Sequence, residues 1–311
     1  KKSEVNAELA PDRNDEYLFY QTLVGAWPAE SCTVEEFADF RERISAYMLK
    51  AIKEAKVHTS WINPNEPYNQ AMSKFVNDVL ASGPENRFLS DFVEFHRKIA
   101  YPGMLNSLSQ TLLKIASPGV PDFYQGTELW DFSLVDPDNR RPVDFGKRVM
   151  LLEELKQREQ ADRASLVRDL LAHWADGRVK LYVTHKGLSL RSSQSSLFEK
   201  GNYRPIEVSD EAKDHICAFA RQSGEAWALV AVPRLISNLS GQDEAPLGER
   251  AWSSSALVLP EDAPQYWRNI LTEDELEVDR SKQKKLLHLA SIFSSFPLAL
   301  LTPAKRETPH P

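Results

Sequence analysis

Between Asp122 and Asp144 the sequence gathers Asp122, Glu128, Asp131, Asp136, Asp138, Arg140, Arg141 and Asp144 around Phe123, Tyr124, Trp130 and Phe132. Carboxylates accept hydrogen bonds from neighbouring hydroxyls, and an arginine donates a planar fork to their oxygens. Tyr124, Trp130 and Phe132 add flat apolar faces on which a pyranose ring can pack. That mixture suits the binding of a sugar. Asp136-Pro-Asp-Asn-Arg140 sets an acid and a guanidinium four residues apart, with Pro137 stiffening the turn between them. Plainer roles compete for the same side chains. Asp144 and Asp138 are suited to capping a following helix, and Arg140 and Arg141 to closing surface ion pairs. A calcium loop is not spelled here, because Asp136-x-Asp138 lacks the glycine and the closing glutamate of an EF-hand.

Other chemistries find less support. The histidines at 58, 96, 173, 185, 215, 288 and 310 are scattered, and no two share metal-ligand spacing on one helix, so no metal or cofactor is expected. There is no Gly-x-Ser-x-Gly elbow and no phosphate loop. His173 and His185 are expected on helix surfaces. Trp227, Trp252 and Trp267 read as packing residues rather than a sugar platform. "HTSW", His58 to Trp61, closes a long helical pattern. It offers Lys56 and Trp61 as ligand-facing candidates, against a plainer reading in which Thr59 and Ser60 cap the next turn.

The elements that would position these groups follow from periodicity and punctuation. Residues 1–13 read as a frayed polar lead-in. Asn14 is placed to cap a helix that ends near Gly25 and Pro28. Thr33 and Glu36 form a capping box ahead of Phe37, Phe40, Ile44, Met48 and Ile52, which recur at helical spacing. Pro67 suits the first turn of a helix reaching about Leu80. Two further helices are expected, split by Pro102 and Gly103. "VPDFYQG" then reads as a short strand, and "KRVMLLEELKQRE" as the helix after the polar loop. "SSQSS" looks like a link to a different pattern of short apolar runs: "YRPIEV", "HICAFAR", "WALVAVP", "SALVLP", "YWRNIL", "LLHLA" and "FPLALL". These predict antiparallel strands in a sandwich or small barrel. The fold class is therefore α/β plus all-β, with a boundary near 191 and 192.

Here a resemblance enters. "GVPDFYQGTEL" followed by "DPDNRRPVDF" resembles the eighth strand and following loop of the α-amylase superfamily of (β/α)8 glycosidases. Gly119, Pro121, Tyr124, Gly126 and Glu128 match its pattern. The wider chain, through "APDRNDEYLFYQTLVGAWP", "YMLKAIKEAKVHTSWINPNEPY", "DGRVKLYVTHKGLSLR" and "FPLALL", is similar to the maltooligosyl trehalose synthase family. The resemblance implies that residues 1–191 are the C-terminal part of the catalytic barrel with a helical elaboration, and that 192–311 form an antiparallel β-sandwich. It implies an intramolecular transglucosylation of maltooligosaccharides, in which the reducing-end α-1,4 bond becomes α,α-1,1. It places a glucose on Asp136 and Arg140, an acceptor-side wall at Lys56 and Trp61, and a structural role on Glu128. A retaining mechanism needs two carboxyl groups about 5–5.5 Å apart, and the family draws them from earlier strands. This chain has no His-Asp dipeptide and no earlier strand-end carboxylate, so no catalytic residue is assigned and the chain alone is expected to be inactive. The missing N-terminal part of the barrel is then its partner. A glycan-binding module acting through the β-domain, or a domain that buttresses a barrel, are the alternatives.

Bulk properties agree with such a protein. The 311 residues carry a net charge of −7 with no basic face, which argues against a nucleic-acid partner. No apolar run approaches the ~20 residues of a membrane helix. No leader is visible, although Lys1 is not a natural start, and a cytoplasmic location is expected. Cys32 and Cys217 read as two isolated core thiols.

Overall fold

The structure, a computed structural model, describes residues 1–83, 85–280 and 284–304; His310 lies outside them. It divides into two compact units, one of residues 1–99 and 131–143, the other of 100–130 and 144–311. Helices and antiparallel sheets make up both.

The first unit opens on a hairpin rather than a frayed lead-in. Strands β1 (Ser3–Val5) and β2 (Glu8–Ala10) pair antiparallel. Asn6 and Ala7 both take positive φ, the backbone that a two-residue hairpin turn requires. Helix α1 (Arg13–Ala26) is capped by Asp12, not by Asn14, because the Asp12 carboxylate accepts the Asp15 N–H at 2.8 Å. Helix α2 (Val34–Ala55) has the expected capping box, with Thr33 and Glu36 bonding each other's backbone. It buries Phe40, Ile44, Met48 and Ile52, one residue per turn, against Phe19 and Leu23 of α1 and Phe75 of α3 (Glu66–Val79). Each such side chain contributes roughly 1.5–3 kcal/mol by leaving water.

Helix α4 (Arg87–Ala116) corrects a second expectation, since it runs 30 residues straight through Pro102. Proline removes one N–H and crowds one carbonyl. Apolar residues buried on both sides of it, Phe92, Tyr101, Leu105 and Leu108, outweigh that local cost.

In the second unit the segment 118–130 holds no strand. "VPDFYQG" is extended or turn-like, because an extended segment becomes a strand only by pairing, and no described strand lies beside it. Helices α5 (Phe145–Ala172), α6 (Arg178–Ser193) and α7 (Ser195–Lys200) follow. Asp144 caps α5 as expected. "SSQSS" is not a link: it ends α6 and begins α7. Strands β3 (Asn202–Pro205), β5 (Ile216–Ser223), β6 (Ala226–Pro233), β11 (Ala299–Pro303), β8 (Tyr266–Asn269) and β9 (Glu275–Glu277) form one antiparallel sheet in that order. β10 (Lys285–His288), β7 (Ala256–Leu259) and β4 (Glu207–Val208) form another. β6 is apolar without interruption because both its faces are buried. Ala228, Val230 and Val232 pack with the helices' core, while Trp227, Leu229 and Ala231 pack with β7 and β10. Trp227, Trp252 and Trp267 are core residues. Cys217 is half-buried but Cys32 is exposed, so only one of the two thiols is even partly internal. Among the described residues no helix is long and apolar enough to cross a membrane.

Candidate functional site

The polar loop falls largely in the first unit, and there α2 grips it. Arg43 is the principal hand. Its Nε donates to Asp138 Oδ1 at 2.8 Å, and its Nη2 donates to Asp138 Oδ2 at 2.9 Å and to Phe132 O at 3.0 Å. Asp138 Oδ2 also accepts the Leu134 N–H at 2.7 Å, and Arg141 lies 3.1 Å from Oδ1. Burial alone pushes the Asp138 carboxyl up. The Arg43 hydrogen bonds, the Leu134 amide and the charges of Arg43 and Arg141 outweigh that, and hold it below the usual carboxylate range. Asp138 is fully committed to holding the loop.

Two turns along the same face of α2, Lys50 donates to Asp136 O at 2.6 Å and lies 3.5 Å from Asp136 Oδ1. Arg140 Nη2 meets Asp136 Oδ2 at 3.4 Å. Asp136 and Arg140 remain 51% and 70% exposed as side chains. The loop thus separates an inner, saturated carboxylate, Asp138, from an outer pair, Asp136 and Arg140, that faces solvent. Neither Arg43 nor Lys50 was singled out from sequence. Their seven-residue spacing on the polar face of α2 was visible, but their partners lie 86–95 residues away.

Lys56 ends α2 in left-handed conformation, φ 58°, and is exposed. Trp61 is 59% exposed with Lys53 Nζ 4.6 Å from its ring centroid. Between them Thr59 and Ser60 accept the N–H groups of Asn65 and Asn63, at 2.9 Å each, so the turn-forming role of "HTSW" is realised. Nearby, Asp12, Asp15 and His58 bring ligand-type atoms within 4.8 Å of one another. Each is already engaged: Asp12 with the Asp15 amide and His58 at 2.9 Å, Asp15 with the Tyr68 hydroxyl at 2.6 Å.

The two aromatics of the second unit differ in freedom. Tyr124 is 46% exposed. Trp130 is half-buried, and its Nε1 donates to Trp174 O at 2.6 Å. Glu128 accepts from Arg148 at 3.0 Å, which in turn bonds Gly126 O at 2.8 Å, and so ties the loop to α5.

No protein-family model matches the chain. Two curated proteins of Mycobacterium tuberculosis, strains H37Rv and CDC 1551 / Oshkosh, are each 34% identical to it over 263 residues and are provisionally named maltooligosyl trehalose synthase. The match covers 85% of this chain and 29% of theirs. Among solved structures, the maltooligosyltrehalose synthase of Arthrobacter ramosus superposes with a TM-score of 0.70 at 30% identity, over 93% of this chain and 32% of that one. A crystal structure of a maltooligosyl trehalose synthase gives 0.64 at 32% identity, over 94% and 33%. The resemblance read from sequence therefore holds: the chain is a relative of the maltooligosyl trehalose synthases, matching a portion of about 29% of the length of the curated ones.

Proposed function

We propose that the chain is the C-terminal portion of a maltooligosyl trehalose synthase, a (1→4)-α-D-glucan 1-α-D-glucosylmutase. In this reading residues 1–191 complete a (β/α)8 barrel with a helical elaboration, and 192–311 form an antiparallel β-sandwich. The parent enzyme takes a maltooligosaccharide and converts its reducing-end α-1,4 linkage to α,α-1,1 by intramolecular transglucosylation. Asp136 and Arg140 hold one glucose unit, the carboxylate accepting from hydroxyls and the guanidinium donating to their oxygens. Tyr124 and Trp130 offer apolar faces, and Lys56 and Trp61 wall the acceptor side. The nucleophile and the acid come from chain upstream of Lys1.

The observation that carries this reading is the Asp136–Arg140 pair: exposed, paired at 3.4 Å, and set on a loop anchored from behind by Arg43 and Lys50. A hybrid tests it, in which this chain replaces the matching 32% of the Arthrobacter ramosus enzyme. The hybrid should consume the reducing ends of maltopentaose, whereas the isolated chain should leave them untouched. A hybrid that folds but does not turn over would overturn the reading. Loss of reducing power with the pure chain alone would overturn the placement of the catalytic carboxylates.

A further inference from the structure

In the second unit, Arg221 of β5 is a buried cation without a counter-ion; only 1% of it is exposed. Its Nη1 donates to Ala116 O at 3.3 Å and its Nη2 to Gly201 O at 2.8 Å, while its Nε–H is buried without an acceptor. Arg191 of α6 reaches the same end of α4. Its Nη1 donates to Ile115 O at 2.6 Å and to Ser117 O at 3.4 Å, and its Nη2 donates to Gly119 O. Among the described residues neither guanidinium makes an ion pair, and the Arg191 Nε–H has no acceptor.

The charges do not balance. Two guanidinia bring two positive charges to the C-terminal end of α4, where the helix supplies only about half a negative charge. A buried cation ordinarily has an acid beside it. Burial first, and then the charge of Arg191, push the Arg221 pKa down. At 1% exposure, water does little to screen the surplus.

Arg191 also borders a surface cavity of about 620 Å³, together with Val120, Ser192, Ser195, Phe198 and Glu199. Its guanidinium lies over the Phe198 ring, 5.5 Å from the centroid. Glu199 is the one acid in that lining, and it makes no ion pair among the described residues. A cation entering the cavity would be repelled, and a neutral ligand would leave the surplus charge in place. An oxyanion offsets it, accepting from the Arg191 Nε–H and from the hydroxyls of Ser192 and Ser195.

We propose that the cavity beside Arg191 is an oxyanion site, which takes a phosphate or a carboxylate group. It shares no residue with the Asp136–Arg140 pair and does not rest on the functional reading above.

The test is a calorimetric titration of inorganic phosphate into the 311-residue chain. The wild-type chain should bind saturably. Arg191→Gln should weaken binding at least about tenfold, the loss expected of a charge-assisted hydrogen bond. Arg191→Lys, which keeps the charge but not the fork, should recover only part. Glu199→Gln should tighten binding about two- to threefold, a gain that misfolding cannot produce. Arg234→Gln, exposed in the same unit, should change the dissociation constant by less than about twofold. No saturable binding by the wild-type chain would overturn the proposal. So would wild-type affinity in Arg191→Gln, or an equal loss in Arg234→Gln. The hybrid separates the two sources of the ligand. Phosphate that still binds there makes the ligand a free anion. Phosphate excluded there, with Arg191→Gln destabilising the hybrid more than the isolated chain, makes it a carboxylate of the upstream chain. Exclusion without that difference would overturn the proposal. An inactive hybrid, alongside phosphate binding by the isolated chain, would sink the functional reading and leave this site standing.

Discussion

Replacing Arg43 by methionine should release the loop. The guanidinium makes three hydrogen bonds to loop residues, two of them to the Asp138 carboxylate. Hydrogen bonds to charged groups are worth about 1.5–3 kcal/mol, and removing one partner of a fully buried pair costs about 3–5 kcal/mol. Here Arg43 and Asp138 keep 17% and 12% of their side-chain exposure, so water recovers part of the loss. The cost should be about 2–3 kcal/mol. A global melt of a chain with two units is not a two-state transition, so the readout should be local. Leu134 donates its N–H to Asp138 Oδ2, and its amide exchange with solvent should quicken roughly 30- to 150-fold. Asp138→Asn should do much the same. The double variant should cost less than the sum of the two, by about 1.5 kcal/mol. Arg43→Lys should recover only part, since an ammonium has no fork. The sign of the pH response follows from Asp138. Its folded pKa is depressed below the unfolded value of about 3.9. Its contribution is therefore whole above that value and is lost as the pH falls through the lower folded pKa. A coupling below about 0.5 kcal/mol, the figure for an exposed pair, would refute the argument that this clamp holds the loop.

In the hybrid enzyme, Asp136→Asn and Arg140→Lys should each lower kcat/KM on maltopentaose at least about tenfold, ~1.4 kcal/mol. Both variants staying within about twofold would reduce the loop to a scaffold. Gly177→Ala should destabilise the second unit. Gly177 sits at φ +80°, which costs a residue with a Cβ about 1–2 kcal/mol, and that Cβ would lie 3.0 Å from the Trp130 backbone nitrogen. Unchanged amide exchange at Lys180, whose N–H donates to Gly177 O at 3.0 Å, would show that the backbone shifts there without strain.

What was legible in the sequence was local. Thr33 with Glu36, Pro67 and Asp144 announced their helix ends because capping is settled within three or four residues. The strand runs were legible because burial on both faces leaves an unbroken apolar stretch, as in β6. Three of the expectations that failed show what tertiary information adds. Pro102 punctuates a helix only when packing on either side is too weak to carry the chain through. Residues 121–126 have a strand's composition, but pairing belongs to the neighbour as much as to the segment. Asp12 rather than Asn14 caps α1, and nothing in the two side chains distinguishes them; the backbone entering from β2 does. The Arg43–Asp138 clamp was illegible for the same reason. Either residue alone reads as an ordinary surface charge, and only a contact across 95 positions gives the pair its role.

That clamp alters how the acid-rich loop should be understood. Composition treats Asp131, Asp136 and Asp138 as equivalent sugar acceptors. Their surroundings divide them. Asp138 spends both oxygens on Arg43 and one of them also on Leu134, and a hydroxyl could bind it only by displacing a charged donor. Asp136 is held mainly by its backbone carbonyl, through Lys50 at 2.6 Å, while its carboxylate meets two cations only at 3.4 and 3.5 Å. Contacts of that length leave the lone pairs available for a closer donor. Asp131 is exposed and gives one oxygen to the Ser133 N–H at 2.9 Å. One acid is structural: Arg43 and the Leu134 amide fix Asp138 and with it the loop, while Asp131 and Asp136 stay at its surface.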